Sequence, residues 1–266
     1  MIRMYAYVAR VILGLIFVVA VAVRVLIPQF AVSAGFPAAA QAWLEVMRDT
    51  GYLQPLLYLT EFIGGGALLL NIFVPLALLI LAPITLNIAL FHLFLAPSLV
   101  RIILVLFMLA SHLLLVYCHK RSFAPLFHPV KPIWSGLKFR FFSVRLVFQI
   151  ILGLVFALAG GAKLLIPNQL SLGDLLIDGM KNTGYLYSLL GFTELVTGIV
   201  VLSGRFVPLA LAISAPISLN IFLYHVFLAP AGLLIGFIFV VIHIALLVAY
   251  ADAYRFLVRL KVNIAE

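Results

Sequence analysis

Two glutamates are the residues best placed to do chemistry in this chain. Glu61 and Glu194 each follow a threonine (Thr60, Thr193) inside a long apolar run. Each has the same company: an asparagine 26 residues on (Asn87, Asn220), a histidine 31 residues on (His92, His225), and a basic residue upstream (Arg24, Lys163). A carboxyl group in an apolar setting can take and release a proton. An amide and an imidazole can hydrogen-bond a polar headgroup, and a cation can complete the wall around it.

Other chemistries find less support. Cys118 is the only cysteine, so there is no internal disulfide, no redox pair and no thiolate metal cage. No His-x-x-x-His or Glu-x-x-His pair offers metal ligands. No nucleophile elbow or glycine-rich phosphate loop occurs, and Gly64-Gly65-Gly66 lies inside an apolar run, where it serves close helix packing. No cofactor is built in by motif.

The elements that hold these residues follow from composition. The chain has 266 residues, of which 66% are hydrophobic and 9% charged. Soluble domains carry about 25% charged residues, so this chain cannot cover itself with a polar surface. Its apolar runs are long and continuous, which predicts membrane helices and not barrel strands. Eight are expected, at roughly 7–28, 52–71, 74–96, 99–118, 143–167, 185–203, 206–228 and 231–250.

The runs form two copies. A shift of 133 superposes Thr50-Gly51-Tyr52-Leu53 on Thr183-Gly184-Tyr185-Leu186 and Phe73-Val74-Pro75 on Phe206-Val207-Pro208, with 29 identities over the 49 positions 49–97. The first helices match at a shift of 139. The reading is all-α: a four-helix repeat at 1–118, a basic linker at 119–142 and a second repeat at 143–266. An even number of spans per repeat predicts two bundles related by a pseudo-two-fold axis along the membrane normal. The run at 1–27 resembles a signal peptide, but its counterpart lies mid-chain, so it is expected to be retained.

The net charge of +9 is read as topology and not as a nucleic-acid footprint. Twelve of the 17 Lys and Arg fall on one side, six of them between His119 and Arg145 (Lys120, Arg121, Lys131, Lys138, Arg140, Arg145). Both termini and the linker are therefore expected in the cytoplasm, the membrane being bacterial or archaeal. On the other side, 31–50 and 168–183 are expected to form short interfacial helices. Trp43 would anchor the first, while Asp174, Asp178 and Lys181 share one face of the second.

Helix rise converts position into depth. Glu61 lies about 13 Å and Asn87 about 15 Å below the outer boundary, so the two can share a hydrogen bond. His92 lies at about 7 Å and Arg24 at about 6 Å, where Arg24 can snorkel or help close the pocket. His112 and His243, at about 20 Å, are too deep to share an iron with His92 or His225 within one half, and they are two residues out of register in the 133-residue repeat. The depths argue against haem within one half, while cross-half pairs such as His92 with His225 stay geometrically open. Pro83 and Pro216 fall inside the third helices and should kink them.

At Tyr52–Glu61 and Phe73–Pro97, with copies at Tyr185–Glu194 and Phe206–Pro230, the sequence resembles the DoxX-like membrane family. The pattern is Gly-Tyr, Glu on the second helix, Pro-Leu-Ala-Leu and Ala-Pro-Ile on the third, then Asn-Ile, His and Leu-Ala-Pro. The family's usual form is a single four-helix unit, so this chain looks like a tandem fusion. The resemblance implies a setting near membrane redox chemistry. The family includes the quinone-facing subunit of a thiosulfate:quinone oxidoreductase and components of redox stress complexes, and related four-helix proteins include a quinone-cofactor maturation factor and cargo receptors.

Two expectations follow. One is a redox-associated membrane subunit that binds a quinone or similar amphipathic ligand and takes electrons from a soluble or membrane oxidoreductase partner. Glu61 and Glu194 would be proton acceptors, with Asn87 or Asn220, His92 or His225, Arg24 or Lys163 and the threonines Thr60 and Thr193 lining the pocket. The other is a non-enzymatic carrier, receptor or assembly factor using the same pockets.

Overall fold

The computed structural model describes residues 2–27, 35–127, 139–167 and 174–261. Lys131 and Lys138 of the linker, and the parts of the expected interfacial segments at 31–34 and 168–173, lie outside the described residues. Among the described residues the fold is all-α, and eight helices are long and apolar enough to cross a membrane.

The chain divides into two compact units, Met1–Phe123 with Phe256–Glu266, and Ala124–Arg255. In the first, the spans are α1 (Ile2–Leu26), α3 (Leu53–Leu70), α4 (Val74–Phe94) and α5 (Leu99–Cys118). A short α2 (Ala38–Asp49) precedes α3, and a single turn α6 (Lys120–Phe123) follows α5. In the second, a 3-10 turn (Ala124–Phe127) is followed by α7 (Phe139–Leu165), a short α8 (Leu175–Asn182), α9 (Leu186–Ser203) and α10 (Val207–Phe227). A further 3-10 turn (Pro230–Gly232), α11 (Leu233–Ala249) and α12 (Ala251–Tyr254) complete it. Within each unit the first span packs on the second and fourth and the third span does likewise, closing a four-helix ring.

The cores repeat side chain for side chain. Leu13, Phe17, Leu78 and Leu115 fill the first, and Leu152, Phe156, Leu211 and Leu246 occupy the same places in the second. Outward faces carry large apolar residues such as Leu99 and Leu165, at 75% and 82% exposed, as lipid contact requires.

One repeated motif has a structural cause. Thr50 and Thr183 end the short helices, each donating its hydroxyl to a carbonyl three residues back and accepting from the N–H of Leu53 or Leu186. The glycines that follow, Gly51 and Gly184, adopt φ of +75° and +77°, a left-handed turn that a side chain would strain. Thr-Gly-Tyr-Leu is thus the hinge that swings the chain into the second span.

At the opposite end, Arg10 and Gln149 are equivalent at a shift of 139 and act alike. Arg10 Nη1 donates to the Leu68 carbonyl, and Gln149 Nε2 donates to the Val201 carbonyl at 2.7 Å. Each ties the first span to the last turn of the second, whose carbonyls lack intrahelical donors. Arg10, one of the twelve basic residues expected on one side of the membrane, is only 8% exposed and has this packing task as well.

Three expectations are corrected. Trp43 does not project into the interface; it is 5% exposed, because α2 turns Ala40, Trp43 and Met47 inward. The polar face expected on α8 does not simply meet water. Asp174 caps the helix by accepting from the N–H groups of Leu176 and Ile177, and it also accepts the Tyr224 hydroxyl proton. Finally, His112 and His243 are structurally equivalent. The connection into the fourth span is two residues shorter in the second unit, so the repeat there runs at a shift of 131. Buried residues match throughout: Met108 with Phe239, Leu115 with Leu246, Cys118 with Ala249.

Candidate functional site

The two glutamates are buried, at 1% and 2% exposure, on the second spans facing the first. Each carboxylate meets a cation from the first span: Arg24 Nη1 lies 2.6 Å from Glu61 Oε2, and Lys163 Nζ lies 2.7 Å from Glu194 Oε2. The cations are half-buried, at 31% and 19% side-chain exposure. Each pair is a charge-assisted hydrogen bond whose acid end is sealed in the bundle and whose base end opens outward.

Helix direction explains how residues about 7 Å apart in depth can meet. Side chains on a helix lean toward its N-terminus. The first and second spans run antiparallel, so Arg24 leans away from the short-helix end while Glu61 leans toward it. Arg24 therefore does not simply snorkel but is held in this pairing.

The remaining candidates are half-buried around the same end of each unit. Thr60 and Thr193 donate their hydroxyls to the carbonyls of Leu56 and Leu189, one turn back. Asn220 Nδ2 donates to the Pro216 carbonyl at 2.9 Å, so its amide is spent within its own helix and not on Glu194. The expected Glu–Asn hydrogen bond is therefore not made in the second unit, because the lysine has taken its place. Asn87 is half-buried on α4.

The histidines of the third spans have different surroundings in the two units. His92 packs among Phe36 and Phe91, with ring centroids at 6.1 and 5.2 Å, and its Nδ1 is buried without a hydrogen bond. Arg101 lies over Phe36 at 4.6 Å and donates to the Gly35 carbonyl. His225 instead bonds the Ala229 carbonyl through Nδ1 at 3.1 Å, against Tyr224, with Gly236 leaving room for its ring.

The first spans also differ in how closely they approach the second. In the second unit Gly153 and Gly160 face Gly198 and Gly191, with no room for a Cβ. In the first, Gly14 and Gly65 make one such contact, while Tyr58 occupies the position of Gly191 and carries Arg24 over its ring at 5.4 Å. Of the Gly64-Gly65-Gly66 run, the first two pack against neighbouring spans and Gly66 meets nothing.

A second polar pair lies deeper. Thr85 Oγ1 and His112 Nδ1 are 3.0 Å apart, and Ser218 Oγ and His243 Nδ1 are 2.6 Å apart. All four residues are buried, joining the third and fourth spans. His243 Nε2 reaches the Leu211 carbonyl at 3.0 Å, whereas His112 Nε2 is buried without a hydrogen bond. The 133-residue register hid this pair; sliding the fourth helix by two residues would have exposed it. Among the described residues no group of three His, Cys, Asp or Glu is gathered as metal ligands would be.

No family model, curated protein or solved structure matches the chain. The class that fold and site define is an all-α membrane protein built from a duplicated four-helix unit, each copy holding one buried acid–base pair.

Proposed function

We propose that each unit binds the polar headgroup of an amphipathic ligand beside its glutamate–cation pair, and that a quinone is the class best suited. The observation that carries the reading is the repeated arrangement of a sealed carboxylate with a half-open cation. An isolated carboxyl group at this depth would be expensive, and a glutamine would bridge helices without that expense. The cation can donate a hydrogen bond to a quinone carbonyl. Glu61 or Glu194 accepts a proton from the aqueous side and passes it to the quinone as that is reduced, with Asn87 or Asn220 and His92 or His225 lining the approach. Electrons come from an oxidoreductase partner, soluble or membrane-bound, because the chain carries no cofactor motif of its own. The resemblance to the DoxX-like family supports the same reading.

The Lys and Arg distribution supports a cytoplasmic membrane of a bacterium or archaeon, with both termini and residues 119–142 on the cytoplasmic side. Reporter fusions at residue 130 and at the two ends test this, and any reporter active outside contradicts it.

Purified protein should gain thermal stability from added quinone, and Glu61→Gln with Glu194→Gln should weaken that gain. An unchanged gain removes the glutamates from the role. The pairing also favours a second reading, a proton-coupled carrier, since protonating the glutamate releases the cation. Flux into reconstituted vesicles that rises with a pH gradient would favour it, whereas co-purification with an oxidoreductase favours the first.

A further inference from the structure

The two units also differ at Lys181. It sits near the end of α8, and its Nζ is buried without a hydrogen-bond partner. Among the described residues no ion pair reaches it, not even from Asp178 three residues earlier. Its contact is the Tyr187 ring, 5.1 Å from the ammonium to the centroid. A ring face offsets only part of what it costs to take an ammonium out of water.

The position is held firmly. Asp174 fixes the start of α8 and binds Tyr224 on α10, while Thr183 caps its end. Tyr187 is 4% exposed and lies seven residues before Glu194, two turns along the same face of α9 and within reach of its charge. Lys163 pairs with Glu194 and Asp174 binds Tyr224, so among the described residues no carboxylate pairs with Lys181.

The first unit lacks this feature. The residues aligned with Lys181 and Tyr187 are Arg48 and Gln54. Arg48 is 64% exposed and lies 3.6 Å from Asp49, and the Gln54 amide donates to the Tyr58 hydroxyl. The buried ammonium thus belongs to one copy alone and is not a requirement of the fold.

We propose that the second unit binds an anionic headgroup, a carboxylate or phosphate on an amphipathic molecule, between α8 and α9, with the Lys181 ammonium as its charge partner and Tyr187 as the wall beside it. The apolar exterior of the unit gives the ligand's tail its place in the bilayer. The site is separate from the glutamate–cation pairs and does not depend on the quinone reading.

The test titrates the full chain, purified in neutral detergent, with three probes: oleate, phosphatidylglycerol and inorganic phosphate. At least one should bind, and Lys181→Met should weaken it tenfold or more while Arg48→Met leaves it unchanged. Dependence on Lys181 for oleate identifies a fatty-acid carboxylate and for phosphatidylglycerol a lipid phosphate, whereas binding of phosphate alone overturns the amphipathic ligand. If Lys181→Met does not fold, Lys181→Gln is titrated in its place. The proposal is overturned if all three probes bind variant and parent within twofold, if none binds the parent, or if Arg48→Met weakens binding equally.

Discussion

Arg24 and Glu61 meet at 2.6 Å across 37 positions of sequence, one leaning down its helix and the other up. Their exposures differ sharply, 31% for the arginine side chain against 1% for the glutamate. The cation keeps a route to the surface, while the anion depends on the cation for its charge to be tolerated. Lys163 and Glu194 stand in the same relation, 19% against 2%.

That asymmetry predicts unequal costs. Arg24→Gln strands a buried carboxylate and should cost about 3–5 kcal/mol, the range for breaking a buried pair. Glu61→Gln leaves a cation free to turn outward and should cost less, about 1.5–3 kcal/mol for one charge-assisted bond. Thermal unfolding in detergent reads both; equal or reversed costs would show that the carboxylate does not rely on the arginine.

Glycine positions sort by what a methyl group would meet. In Gly198→Ala the added Cβ runs into the Ala157 backbone nitrogen and lies 2.7 Å from the Gly153 carbonyl, so the spans must part. The expected loss is about 1–3 kcal/mol. Gly66→Ala meets nothing within 4 Å and should be neutral or gain up to about 1 kcal/mol from helix propensity. The comparison of the two melting temperatures is the check.

Much of this architecture was legible in the sequence, and what was not has definite causes. Continuous apolar runs mark spans whichever way they pack, so all eight could be read directly. Glu61 and Glu194 were visible because burial makes a lone carboxyl conspicuous in any apolar run. The pairing with Arg24 and Lys163 was not, because depth was reckoned from backbone positions and side-chain lean supplies the missing few ångströms. Thr85 and Ser218 escaped notice because small hydroxyls are common in membrane helices, and their partners His112 and His243 looked unrelated until the shorter connection in the second unit was allowed for. Lys181 was legible only as sharing a face with Asp174 and Asp178, since helical periodicity says which residues share a side but not which side is covered.

The hydroxyl–histidine pairs give a third prediction. Ser218→Ala leaves His243 with its Leu211 bond, whereas Thr85→Val leaves His112 without a ring hydrogen bond. Each should destabilise, by about 1–3 kcal/mol per stranded polar group, with Thr85→Val the costlier. A neutral Thr85→Val would mean that water serves His112 as well as the threonine does.

A fourth concerns pH. His119, just past α5, is buried with Nδ1 2.9 Å from the Leu115 carbonyl. Burial, opposed by that hydrogen bond and aided by nearby Arg10, holds its pKa below the ordinary 6.5. The unfolded chain therefore binds a proton that the native one refuses, and the residue's contribution is full above 6.5 and lost as pH falls below it. His119→Asn should melt with a smaller drop than the parent between about pH 7.5 and about 5; an identical drop removes His119 as the cause.

Ligand binding beside the two acid–base pairs is tested most directly by counting bound quinone. Equilibrium binding of a short-chain ubiquinone or menaquinone analogue to the purified chain should reach two sites. Glu61→Gln or Glu194→Gln should remove one site or weaken it by about tenfold, some 1.4 kcal/mol, and the double variant should affect both. A parent chain that binds neither analogue, or a double variant that binds both sites as tightly as the parent, contradicts it.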